Sequence, residues 1–118
     1  MPRLLTTPEV AEAIERFRHS LASKYGGRLR ELTVFGSRAR GDAHADSDVD
    51  MLVVIDELSE KERGEVFDLA WYASMAGEEY VVLAPIPYSS HQAAALRRQE
   101  KRLLREIDAH GVPLELSP

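Results

Sequence analysis

The chain has 118 residues, 44% of them apolar and 30% charged, with a formal net charge of -5. That length supports one small domain with a single core, and the acidic balance argues against a surface that binds nucleic acid as a whole. Zero cysteines exclude a disulfide framework and a thiolate metal site, no apolar run nears the roughly 18 residues of a membrane span, and "MPRLLTTPEV" carries no secretory pattern, so a cytoplasmic setting is expected.

Thr6 or Thr7 ahead of Pro8 predicts a helix start with proline in the first turn, after which Val10, Ala13, Ile14, Phe17 and Leu21 recur at helical spacing. Gly26-Gly27 ends it. Leu32, Val34 and Phe35 predict a short strand closed by Gly36-Ser37, and "RARGDAHADS" reads as a brief helical turn plus loop. "VDMLVVI", residues 49–55, predicts a second strand. Ser59 and Glu62 have the capping-box spacing, and Val66, Leu69, Ala70 and Ala73 give the next helix an apolar stripe running to Gly77. Phe67 and Trp71, four apart, read as a packed aromatic pair in the core or facing a partner. "YVVLAPI", residues 80–86, predicts a third strand. Ser89 or Ser90 caps one last helix with Leu96, Leu103, Leu104 and Ile107 inward and Gly111 as its stop, and "VPLEL" has room for a short final strand. The order predicts an α/β (α+β) domain, a small mixed sheet with helices packed against it.

Asp48 and Asp50 interrupt that pattern, because packing alone would put Val or Ile where a strand begins. Residues two apart on a strand share a face, about 6.5 to 7 Å apart, so the two aspartates read as a carboxylate pair. Like charges repel by about 4 kcal/mol at 4 Å and an effective dielectric of 20, so a partly buried pair needs a cation or a proton. Mg²⁺ suits it, being a hard cation held by one or two carboxylates plus substrate phosphates and water. Gly36 lets a ligand approach the backbone closely, the N–H groups that open the next turn can cradle phosphate oxygens, and Ser37 adds a hydroxyl. Arg38 and Arg40 leave the same turn and can offset phosphate charge. These parts suit phosphoryl-type transfer, where positioning and charge stabilisation do most of the catalysis.

Two rival motifs fail. Asp46, Asp48, Asp50 and Glu57 stand at EF-hand offsets, but Met51 occupies the position that needs Gly and opens an apolar strand. No Gly-Lys-Ser/Thr follows Gly36, which excludes a Walker loop.

Gly36-Ser37, ten residues, then Asp48-x-Asp50 resembles the signature of minimal nucleotidyltransferases in the DNA polymerase beta-like superfamily, and "GSRARG" with "SDVDMLV" is similar to its prokaryotic antitoxin-type branch. The resemblance implies a polymerase beta-like fold in which Gly36 and Ser37 hold the triphosphate of ATP or another NTP while Asp48 and Asp50 bind Mg²⁺, with Mn²⁺ as an alternative. It further implies transfer of a nucleoside monophosphate, often AMP, to an acceptor hydroxyl. The expected partner is a helical HEPN-type toxin, neutralised by adenylylation or by complex formation alone, and a homo-oligomer is compatible with the apolar helix faces. Many relatives carry a third carboxylate inside the third strand. Here Val82 and Ala84 cannot supply one, and Glu79 stands where that strand is expected to begin.

His44 falls in the loop between the motif halves, where an exposed histidine is the simpler reading, and Asp42 and Asp46 suit turns or caps. His19, His91 and His110 show no metal-ligand spacing. Arg97, Arg98, Lys101, Arg102 and Arg105 alternate with Glu100 and Glu106, which favours a solvated, ion-paired face over an RNA-binding one.

Overall fold

The computed structural model describes residues 6–40 and 48–116. Helix α1 (Pro8–Tyr25) opens under an N-cap from the Thr7 hydroxyl, which accepts the Val10 N–H at 3.3 Å. A 3₁₀ turn (Gly26–Arg28) leads into strand β1 (Leu29–Phe35), a four-residue helix α2 (Ser37–Arg40), and strand β2 (Val49–Ile55). Helix α3 (Glu60–Met75) starts with the expected Ser59/Glu62 capping box. Strand β3 (Leu83–Ser89), helix α4 (Ser90–Arg98), helix α5 (Arg102–His110) and the two-residue strand β4 (Val112–Pro113) complete the order.

The sheet is mixed, in the order β3-β2-β1-β4. β1 runs antiparallel to β2 and β4, while β2 and β3 are parallel through the α3 crossover. Alternation along β2 divides the core. Val49, Met51, Val53 and Ile55 pack with Phe17 and Leu21 of α1 and Val66, Ala70 and Ala73 of α3. Leu52 and Val54 face the other way, into a smaller cluster with Phe35, Ala93, Leu104 and Ile107 under α4 and α5.

Two boundaries differ from expectation. The third strand runs over 83–89 and not 80–86, because Leu83 is the residue in register with Val49 and its N–H is claimed by the Ser74 hydroxyl at 3.1 Å. It carries Pro85 and Pro87, which a sheet tolerates at an edge, and β3 is an edge strand. The last helix is two helices. Glu100 takes a left-handed φ of 54°, its N–H bonds the Arg97 carbonyl at 3.0 Å, and the Lys101 N–H bonds the Leu96 carbonyl at 3.1 Å. That is a Schellman stop with glutamate where glycine is usual.

Arg97 then joins the pieces. Its guanidinium spans Glu31 of β1 (2.7 and 2.9 Å) and Asp108 of α5 (2.8 and 3.0 Å), and these carboxylates raise its pKa above the ordinary arginine value. For Arg97 the ion-paired reading of the basic face holds. Phe67 and Trp71 both lie on the exposed face of α3, and Trp71 stacks edge-on against Tyr72, with centroids 5.4 Å apart, so neither is a core residue. Among the described residues no helix is long and apolar enough to cross a membrane.

Candidate functional site

The site grows from the pairing of β1 with β2. Antiparallel register sets Phe35 opposite Asp50, so the residue that leaves β1 must turn beside that carboxylate. Gly36 makes the turn at a φ of 76°, and a Cβ built on it would stand 2.6 Å from Asp50 Oδ2. Only glycine meets both conditions, a left-handed backbone and a close approach. Ser37 follows at once, half-buried, as the first residue of α2. The two motif halves, ten residues apart in the chain, thus meet at one end of the sheet.

Asp50 is half-buried within β2, while Asp48 is exposed and precedes the strand by one residue. By strand alternation Asp50 lies on the face of Leu52 and Val54, the face that α4 and α5 cover further along. Both aspartates offer hard oxygen donors, one at the rim and one partly sheltered. That donor set fits a dication such as Mg²⁺ that completes its shell with phosphate and water. Among the described residues no group of three or more His, Cys, Asp or Glu side chains gathers into a metal cluster.

Arg38, the residue expected with Arg40 to offset phosphate charge, is the second residue of α2. It is buried, at 7% exposure, because the short α2 packs back onto β1 and β2. Arg40 closes α2. Its side chain lies outside the described residues, as do Asp42, His44 and Asp46.

The third strand supplies no third carboxylate. Ala84 stands in register with Asp50, and Glu79 falls four residues before β3 begins. Glu79 instead lines a cleft of about 500 Å³ with Glu9, Glu12, Arg16, Gly77 and Glu78, which corrects its expected place at the strand's start.

A residue that sequence reasoning passed over holds this end of the sheet together. Ser74 is buried at 2% exposure, donates to the Ala70 carbonyl at 2.7 Å and accepts the Leu83 N–H. The neighbouring Val82 carbonyl takes the Val49 N–H at 2.8 Å, and Val49 separates the two aspartates. The available signal was a hydroxyl among the small residues of the buried α3 face.

The profile of the Nucleotidyltransferase domain matches residues 14–111, a span that includes β1, the Gly36-Ser37 turn, both aspartates and β3. The chain belongs to the nucleotidyltransferase domain family. That membership places it among nucleotidyltransferase enzymes. A candidate protein adenylyltransferase of Methanocaldococcus jannaschii is 31% identical over 105 residues, covering 88% of this chain and 97% of that protein. A second one from the same organism is 49% identical over 45 residues, 38% of this chain and 45% of that protein. Protein adenylyltransferase MntA of Thermococcus cleftensis is 40% identical over 55 residues, 47% of this chain and 54% of that protein. The chain thus matches about half the length of two of these nucleotidyltransferase relatives and nearly all of the other. A chain in the crystal structure of a toxin-antitoxin with AMP-PNP has the same fold, with a TM-score of 0.54 at 24% identity over 87% of this chain and 73% of that one.

Proposed function

We propose that this nucleotidyltransferase moves AMP from ATP to a hydroxyl group of a partner protein, with Asp48 and Asp50 as the carboxylates that hold Mg²⁺ and with Gly36 and Ser37 receiving the triphosphate. The observation that carries the reading is the contact geometry of Gly36 and Asp50, which leaves backbone without a side chain directly beside a half-buried carboxylate. In the transfer, the acceptor oxygen forms a bond to the α-phosphorus as the bond to the bridging oxygen breaks. Pyrophosphate leaves, and the hydroxyl proton is released. Bound Mg²⁺ supplies charge neutralisation for the phosphates. The chain's own part is to orient the nucleotide: the Ser37 hydroxyl donates to a phosphate oxygen, and the turn N–H groups face the same oxygens. Arg40 adds positive charge from the end of α2.

The names of the relatives support protein as acceptor, and the sequence resemblance of "GSRARG" and "SDVDMLV" supports an antitoxin role toward a helical HEPN-type partner. A second reading rests on Ala84, whose methyl group stands in register with Asp50 where a third carboxylate would serve. In that reading the domain transfers poorly and neutralises its partner by forming a complex. Incubation of the chain with α-labelled ATP, Mg²⁺ and the product of the neighbouring gene separates the two. Label on the partner, lost in Asp50→Asn, establishes the transferase. A stable complex that stays unlabelled establishes the binding antitoxin.

A further inference from the structure

Asp48 and Asp50 are held from opposite sides. The ladder between β1 and β2 reaches as far as the pairing of Phe35 with Asp50, so β1 fixes the backbone of Asp50. Asp48 stands one residue before β2 and beyond that ladder. Among the described residues, the bond that fixes its neighbour Val49 comes from the other side, where the Val49 N–H donates to the Val82 carbonyl at 2.8 Å. Residues 80–82 belong to no strand. What holds Val82 is Ser74, which grips the residues on either side of it. The Ser74 backbone carbonyl, one of the last four of α3 and so without a partner inside the helix, accepts the Val81 N–H at 3.3 Å. The Ser74 hydroxyl accepts the Leu83 N–H at 3.1 Å. Backbone groups of successive residues in an extended segment point in opposite directions, so a grip on Val81 and Leu83 from α3 turns the Val82 carbonyl toward β2. We propose that Ser74 is a positioning residue for the transfer reaction: by fixing Val82 it sets where Asp48 lies relative to Asp50, and so how well the two carboxylates share one dication.

A serine inside a helix commonly bonds the carbonyl four residues back and does nothing more. Ser74 makes that bond too, to Ala70 at 2.7 Å, and the bond orients the hydroxyl: its one proton goes to Ala70, which leaves its lone pairs for Leu83. Alanine at position 74 keeps the carbonyl that holds Val81 and removes the acceptor of the buried Leu83 N–H, so one half of the grip is lost. Gly36 and Asp50 meet through the pairing of β1 with β2, so the loss falls on Asp48. Groups that orient metal-binding side chains without touching the ion carry about 10-fold to 100-fold of its affinity. The inference rests on the reading of Asp48 and Asp50 as the carboxylates that hold Mg²⁺.

Binding of Mn²⁺ alone, followed through the paramagnetic resonance signal of the free ion, tests this without nucleotide or turnover. Ser74→Ala should weaken the binding about tenfold at a temperature where circular dichroism shows the variant fully folded. Ser74→Thr, which keeps the hydroxyl, should restore most of the affinity. Should Ser74→Ala not fold, Ser74→Cys, which keeps only a weak acceptor at the same place, carries the test in the same direction. Asp48→Asn should weaken binding as well, and Ser74→Ala added to it should have no further effect, because the carboxylate that Ser74 positions is gone. A serine that merely stabilises the fold would cause the same fractional loss in both backgrounds. Equal affinity in the wild type and Ser74→Ala, or an undiminished effect of Ser74→Ala on top of Asp48→Asn, would overturn the proposal and leave the carboxylate reading intact. Mn²⁺ binding that is absent from the wild type, or indifferent to Asp48→Asn, would overturn both together.

Discussion

Gly36 and Asp50 share one small volume: the space a Cβ would fill on Gly36 is already held by Asp50 Oδ2, 2.6 Å away. Gly36→Ala must therefore strain a backbone at φ 76° and displace a carboxylate. The left-handed conformation alone costs about 1 to 2 kcal/mol, and urea unfolding should show a loss of about 1 to 3 kcal/mol. Nucleotide binding should be lost in protein that is still folded. In Gly36→Ala/Asp50→Ala the carboxylate is gone, so the two stability losses should combine to less than their sum. Simple additivity in that cycle would refute the contact.

Ser74→Ala tests the pin beneath the site. The substitution leaves the buried Leu83 N–H without its acceptor, a penalty of about 1 to 3 kcal/mol. Hydrogen exchange at Leu83 and at Val49, whose N–H bonds the adjacent Val82 carbonyl, should accelerate well beyond exchange in β1. Ser74→Thr, which keeps the hydroxyl, should preserve more of the protection than Ser74→Ala.

Glu62 gives an acid-sensitive link between the start of α3 and the turn before β1. Its carboxylate accepts from Arg28 at 2.8 and 2.9 Å and from the Ser59 N–H at 3.1 Å, and these donors, Arg28 first, hold its pKa near about 2 against an ordinary 4.5. A depressed carboxylate contributes stability above its unfolded value and loses it as pH falls through the folded one. The urea midpoint should thus decline between about pH 4.5 and about 2, and Glu62→Gln should flatten that part of the profile. An unchanged slope in the variant would remove Glu62 as the cause.

Glu100→Gly should stabilise the chain by up to about 1 kcal/mol, since glycine relieves the left-handed φ of 54° at a position already outside the helix. Thermal unfolding should register a higher midpoint, and a lower one would mean that the glutamate side chain contributes something the turn geometry does not.

Much of this architecture could be read from residue pattern. The apolar run of "VDMLVVI" and the Ser59/Glu62 spacing are local signals, and the structure keeps them. Gly36-Ser37 and the aspartates Asp48 and Asp50 were legible as two halves of one motif, because the aspartates interrupt an apolar run and the turn stands ten residues before them. Misreadings arose where a partner distant in sequence decides the outcome. Tyr80 to Val82 look like strand, yet β3 pairing begins at Leu83, set by Ser74 and Val49. Pro87 disguised the strand's far half. The break between α4 and α5 lacks the glycine that usually announces it, and glutamate in its place concealed the stop. The burial of Arg38 was not legible, because a four-residue helix turns its side chains according to what it packs on.

Pro85 and Pro87 have an effect that reaches past their own strand. Each removes a backbone donor from β3, one margin of the sheet, and the opposite margin is the two-residue β4, which itself ends in Pro113. Neither border offers the long unbroken row of donors and acceptors that lets a foreign strand zip on. Among the described residues the sheet is therefore finite by construction, guarded against runaway stacking at high concentration.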